Sequence, residues 1–255
     1  MLFFCIGSLF GTTSAAVPID LTRQVLNAAP SVVGIVRFNP ASAVPGQLVG
    51  TGFVVADGRH VVTNAHVIRM PGPKAKSKTT YFAVLASNKG APKRLRLMLL
   101  DREARYDLAL LQIPVSQAAL PALTLIETPK PLLAGTPIFS IGFPIASALG
   151  PFPAVSSGIL SAVTPSLSPQ MRASQLDAAF IKAPRYALYQ LDMTAYPGQS
   201  GSPLLHAATG QVIGVVNSTK IKAEKEKVLS DPSGISYAVM AAELRTFLLR
   251  NGLRP

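Results

Sequence analysis

Short apolar runs broken by Gly, Pro, Asn and Asp recur along this chain, whereas helical spacing of apolar positions is sparse. The first set of strand-like runs is "SVVGIVRF", "QLVGTGFVVA", "RHVVTNAHVI", "YFAVLAS", "KRLRLMLLD" and "LALLQIPV". The Asp57-Gly58 pair between the second and third is a hairpin signal. A second set follows: "TPIFSIGF", "AVSSGILSAV", "ALYQLDM", "SPLLHA", "QVIGVVNS" and "ISYAVM". Residues 116–134, "SQAALPALTLIETPKPLLA", carry several prolines and no strong period, and read as a linker between two β units. Residues 71–80 read as a basic exposed loop, 164–186 as a longer insertion, and 220–233 as another polar loop.

Two helices frame the strands. "IDLTRQVLNAAP" reads as a short helix capped by Asp20 and ended by Pro30, with Leu21, Val25 and Leu26 on one face. A second helix is expected near 240–250, where Leu244, Phe247 and Leu248 share a face. The fold expected is all-β: two six-stranded antiparallel β-barrels with a short N-terminal helix and a C-terminal helix. The expected units are residues 17–115 (helix and first barrel), 116–134 (linker), 135–238 (second barrel) and 239–255 (helix and tail).

Composition sharpens this picture. The chain has 255 residues, 49% hydrophobic and 14% charged, enough to bury a large core and too apolar for a disordered protein. The first charged residue is Asp20. The apolar stretch from Leu2 to Phe10 is too short to span a bilayer. With Ser14, Ala15 and Ala16 behind it, residues 1–16 are expected to be a signal peptide, though without a positive n-region. The protein is therefore expected to be exported, periplasmic or secreted. Cys5, the single cysteine, would leave with the leader, so no disulfide framework is expected. Net charge is +12, and residues 69–105 hold ten Lys and Arg against Asp101 and Glu103. This basic excess suits a solvated face or an anionic surface. No aromatic-rich nucleic-acid motif accompanies it, and no metal-ligand spacing or phosphate loop points to a metal or other cofactor.

Of the three histidines, His60 follows the Asp57-Gly58 turn and is expected to face solvent, and His206 reads as structural. His66 lies in "VVTNAHVI", where an apolar strand meets small residues. "DLALLQI" begins with Asp107, and "YPGQSGSPLL" holds Ser200 on a turn. A base, an acid and a hydroxyl in the order His, Asp, Ser match the order of chymotrypsin-like enzymes, not that of subtilisin or the α/β-hydrolases.

These motifs carry a resemblance. "APSVVGIV", "GTGFVV", "VVTNAHVI", "DLALLQI", "IGFP", "SSGILSAV", "LDMTAYPGQSGSPLL", "QVIGVVNS" and "ISYAVMAAEL" occur in order from about residue 29 to 248. The sequence resembles trypsin-like serine proteases of the HtrA/Deg type, and is expected to lack a PDZ domain. The resemblance implies Ser200 as nucleophile, His66 as general base, and Asp107 as the acid that orients it. It implies an oxyanion hole from the backbone N–H groups of Gly198 and Ser200. Asp101 is a rival acid, in a basic and exposed-looking stretch. Asp192 also matches a family position and is expected to support the loop that builds the site.

The resemblance further implies a substrate-binding set: Thr194, Ala195, Val216, Asn217, Ser218 and Thr219. Thr194 stands where trypsins carry an aspartate, so an Arg or Lys side chain would enter unpaired. A small or medium apolar residue is therefore expected there, with the backbone of Val216 to Thr219 pairing with protein or peptide substrates as an added strand. Two positions depart from the secreted animal enzymes. Gln199 replaces an aspartate, which rules out an ion pair with a new N-terminus. Ser202 replaces the second glycine of "SGG" and is expected to narrow the pocket or disturb the loop. The alternative reading is a catalytically silent module that binds peptides or anionic surfaces.

Overall fold

A computed structural model describes residues 19–68, 79–85, 92–128, 130–144, 152–166, 186–217 and 234–255. The leader expected at 1–16, the loop at 71–78, nearly all of the insertion at 164–186, and the loop at 220–233 lie outside these residues. No described helix is long and apolar enough to cross a membrane.

Each expected run forms a strand. The first six are β1 (Val32–Phe38), β2 (Gly46–Val55), β3 (His60–Asn64), β4 (Thr80–Leu85), β5 (Lys93–Glu103) and β6 (Leu108–Gln112). They close into an antiparallel barrel in the order β1-β2-β3-β6-β5-β4. The second six are β7 (Pro137–Gly142), β8 (Ala154–Pro165), β9 (Ala187–Asp192), β10 (Pro203–His206), β11 (Val212–Asn217) and β12 (Ile235–Met240). They close in the order β10-β11-β12-β9-β8-β7. Closure gives every strand a neighbour on both sides, so neither barrel presents an open sheet edge.

The continuous apolar runs have a physical reason. Successive side chains point to opposite faces of a strand, and here both faces are dry. In β6, Ala109 and Leu111 enter the interior of the first barrel, while Leu108 and Leu110 enter a core between the barrels. In β11, Ile213 and Val216 fill the second barrel, while Val212 and Val215 face the inter-barrel core. That shared core also takes Phe53, Phe139, Phe143 and Phe247, all at most 2% exposed. Each fully buried aliphatic or aromatic side chain contributes ~1.5–3 kcal/mol. Strand β5 differs: Leu95 and Leu97 point inward, and Arg94, Arg96 and Met98 point to water.

Helix α1 (Leu21–Ala28) starts at Asp20, whose Oδ1 accepts the Arg23 N–H at 3.0 Å. Leu21 and Val25 pack on the shared core. Leu26 does not share their face; it is 68% exposed, because each helical residue turns about 100° from the last. Pro30 does not stop the chain cleanly, since residues 29–31 continue as one 3-10 turn. Helix α2 (Ala241–Arg250) buries Leu244, Phe247 and Leu248 as expected. Its Arg250 reaches the far end of β5, with its two terminal nitrogens 2.5 Å from Glu103 and 2.7 Å from Asp101. That guanidinium holds both carboxyls below their ordinary range.

Candidate active site

The two barrels meet where β3 ends and β10 begins. Asn64, Ala65 and His66 leave β3 in a tight turn, which the end of β5 and the start of β6 brace. The Ala65 N–H and the Asn64 side-chain amide both donate to the Asp107 carbonyl, at 2.9 and 3.0 Å. Arg102 donates to the Ala65 carbonyl at 2.8 Å. The Asp107 carboxylate is thus folded back onto the turn. Its Oδ1 accepts the His66 N–H at 2.9 Å, and its Oδ2 lies 2.6 Å from His66 Nδ1. From the second barrel, Asn217 donates its side-chain amide to the same Oδ2 at 2.8 Å.

This packing forces an uncommon backbone. Asp107 has φ 55°, a left-handed conformation that Asp tolerates better than most residues. Its carboxylate accepts three hydrogen bonds, so the proton between it and the imidazole sits on Nδ1. The basic nitrogen of His66 is then Nε2. The His66 side chain is 30% exposed and that of Asp107 21%. Tyr106 and Tyr186 meet edge to face at 4.9 Å next to Asp107. Burial, and then the Asp107 charge, push the Tyr186 phenol up to about 12.

Ser200 comes from the turn before β10. Residues 196–199 form a turn closed by the Gln199 N–H on the Tyr196 carbonyl at 3.0 Å. Gly198 has φ 98° there, which an L side chain resists, and Pro197 presets the position before it. Gln199 is buried. Its Oε1 accepts the Tyr196 N–H at 2.7 Å, and its Nε2 donates to Ser156 on β8 at 3.1 Å. Gly201 is needed for close approach: a Cβ there would strike the Thr51 carbonyl and the Thr63 hydroxyl of the first barrel. The Ser200 carbonyl accepts the Thr51 N–H at 2.9 Å. A Cβ on Gly50 would touch both Val67, the residue after His66, and the Ser200 carbonyl. Ser200 and the His66 turn therefore flank one glycine of β2.

A family profile described as "Trypsin-like peptidase domain" matches residues 50–215, which takes in every element of this site except Asn217. The chain belongs to the trypsin-like peptidase domain family. It is 30% identical over 231 residues to the human protein "Serine protease HTRA4", covering 89% of this chain and 40% of that protein. It is 28% identical over 166 residues to "Probable periplasmic serine endoprotease DegP-like" of Halomonas elongata, covering 65% of this chain and 28% of that one. The chain spans between 28% and 40% of the length of the curated relatives it matches. The crystal structure of Deg5 superposes with a TM-score of 0.61 at 22% identity, over 88% of this chain and 89% of that one. The serine endoprotease from Yersinia pestis gives 0.59 at 22% identity, over 92% and 67%. These structures share the fold of this trypsin-like domain.

Within the trypsin-like domain, His60 takes a different place from the one expected. His60 is buried at 7% exposure, not solvent-facing, because residues 113–120 cross over its hairpin: Ile113 N–H donates to Arg59 O and Leu120 N–H to Gly58 O. Asp101 lies with Arg250 and Asn251, away from His66. Asp192 is exposed at the end of β9, and among the described residues its carboxylate has no hydrogen bond that ties it to the Ser200 turn. Thr194 is half-buried, and Ala195 belongs to the core of the second barrel. The Val216 backbone is already engaged: its carbonyl accepts the Gly201 N–H and its N–H donates to the Ser202 carbonyl. Ser218 and Thr219 lie outside the described residues.

The serine at 202 leaves the loop intact. Its side chain is fully buried and turned toward Gly142, where a Cβ would collide with its hydroxyl. Its N–H still donates to the Gln199 carbonyl at 3.0 Å. The hydroxyl has no partner among the described residues. Gly142 of "IGFP" thus makes room for the side chain that the "SGG" pattern would omit.

Proposed function

We propose that this domain is a serine endopeptidase that hydrolyses peptide bonds through an acyl-enzyme on Ser200. The observation that carries the reading is the Asp107 carboxylate, bonded at once to the His66 ring, the His66 backbone and Asn217, beside the Ser200 turn. A hydroxyl is a poor nucleophile, so His66 Nε2 takes the Ser200 proton as Oγ bonds to the scissile carbonyl carbon. Asp107 holds the ring in the tautomer that leaves Nε2 basic and stabilises the imidazolium that forms. The oxyanion of the tetrahedral intermediate is received by the N–H groups of Gly198 and Ser200. Among the described residues the Gly198 N–H has no other acceptor, which suits this role. His66 then protonates the leaving amine as the C–N bond breaks. Water repeats the sequence on the acyl-enzyme, releasing a carboxylic acid and regenerating the Ser200 hydroxyl.

The substrates are proteins or peptides, with a small or medium apolar side chain next to the cleaved bond. No carboxylate stands at Thr194 to pair with a substrate cation. The relatives' names include a periplasmic enzyme, which supports export of this chain as well. Outward Lys93, Arg94 and Arg96 on β5 have no carboxylate partner among the described residues and support contact with an anionic surface. The deciding experiment exposes the protein to a serine-directed fluorophosphonate, alongside Ser200→Ala and His66→Ala. Labelling that both substitutions abolish is the expected result. A folded protein that takes no label would leave the silent peptide-binding reading in its place.

A further inference from the structure

Thr51 on β2 is fully buried and makes four hydrogen bonds, three of them across the barrel junction. Its N–H donates to the Ser200 carbonyl at 2.9 Å. Its hydroxyl donates to the Gly198 carbonyl at 2.8 Å. The same hydroxyl accepts the Phe143 N–H at 2.9 Å, and its carbonyl accepts the Thr63 hydroxyl at 2.6 Å. A single residue of the first barrel thus grips the carbonyls on both sides of Gln199 in the second.

We propose that the Thr51 hydroxyl is a positioning group that holds the Gly198 N–H in the direction an oxyanion donor needs. The inference rests on the peptidase reading above. Glycine at 198 permits φ 98°, but it permits many other conformations almost as easily. Something must select one. The peptide between Gly198 and Gln199 is fixed at both ends: its N–H on the Tyr196 carbonyl, its carbonyl on Thr51. Rotation of that plane breaks both bonds, and the second leaves the buried Thr51 hydroxyl without an acceptor for its proton. Without the hydroxyl, one end is loose and the preceding N–H turns with it. A donor aimed in advance is what gives an oxyanion hole its effect. Because Thr51 stands on β2, the aim of the hole also reports whether the two barrels are docked.

The test compares Thr51→Val, which keeps the shape and removes the hydroxyl, with Thr51→Ser, which keeps the hydroxyl. Hydrolysis of a peptide substrate is measured beside thermal unfolding and inhibition by a peptide aldehyde, whose oxyanion uses the hole. Thr51→Val is expected to lose about 10- to 100-fold in kcat and in aldehyde affinity with KM nearly unchanged, and Thr51→Ser to stay within about threefold of wild type. If Thr51→Val does not fold, Thr51→Ala against Thr51→Ser carries the same comparison. A hydroxyl-less variant with wild-type kcat, or a serine variant as impaired as the valine one, would overturn the inference and leave the peptidase reading standing. Wild-type protein inert to substrate and fluorophosphonate alike would overturn both.

Discussion

The first barrel carries two histidine–aspartate pairs, and their contrast shows what sets the proposed catalytic pair apart. His60 Nδ1 lies 2.7 Å from Asp57, and His66 Nδ1 lies 2.6 Å from Asp107. By that distance the pairs are alike. In the first, the histidine side chain is 9% exposed and its aspartate 53%. In the second, the imidazole is the more exposed member, at 30% against 21%. Asp57 is three residues from His60 on one hairpin, and its carboxylate also takes the Arg59 N–H. The Asp107 carboxylate gathers three hydrogen bonds from two segments, one of them in the other barrel. A shielded acid behind an open imidazole can move a proton at the ring's far nitrogen. An open acid in front of a shielded imidazole only caps a turn.

Breaking the pairs separately is the sharpest check. His66→Ala is expected to lower kcat by on the order of 10⁶-fold, close to Ser200→Ala, because these groups act as a unit. His60→Ala is expected to lower the unfolding midpoint and leave kcat within about twofold. Steady-state kinetics with a calorimetric melt read both. Asp107→Asn is expected to cost about 10⁴-fold, since an amide favours the wrong tautomer of His66. The matching Asp57→Asn change is expected to leave the pH–rate profile unmoved.

Much of this was legible in the sequence. All twelve strands were: burial on both faces makes β6 and β11 nearly continuous apolar runs, and β5 alternates Leu95 and Leu97 with Arg94 and Arg96. The turn and cap residues Asp20, Gly58 and Gly198 act through local backbone rules and were equally readable. What escaped was non-local. His60 reads as exposed until the 113–120 segment covers it. Asn217 reads as a strand-end residue that would offer its backbone, yet its amide crosses to Asp107 in the other barrel. Thr51 and Arg102 act on residues far along the chain, and no local pattern marks them.

Asn217 ties the two barrels to the acid and gives a smaller test. Asn217→Ala is expected to lower kcat about tenfold by removing one charge-assisted hydrogen bond. A steady-state assay that finds no change would mean Asp107 needs only its bonds to His66. The smallest effect is a stability difference at Asp57. Its burial alone would raise the carboxyl, but hydrogen bonds from His60 and Arg59 hold it below its ordinary value. A depressed carboxyl stabilises the fold above the unfolded value near 4, and that contribution fades as pH falls through the folded value. Asp57→Asn is therefore expected to destabilise by ~0.5–1 kcal/mol at pH 7 and by less at pH 3, given how open the group is. Denaturant titrations at the two pH values measure the difference.

The left-handed backbone of Asp107 bears on how this site can change over generations. Chemical likeness and conformational likeness nominate different substitutes there. Glutamate keeps the charge, but it is longer and unsuited to that backbone. Asparagine and glycine keep the backbone and surrender the charge. No single exchange preserves both, so position 107 has no neutral neighbour to drift into. A descendant that lost the aspartate is expected to carry Asn or Gly there, with its fold intact and its chemistry gone.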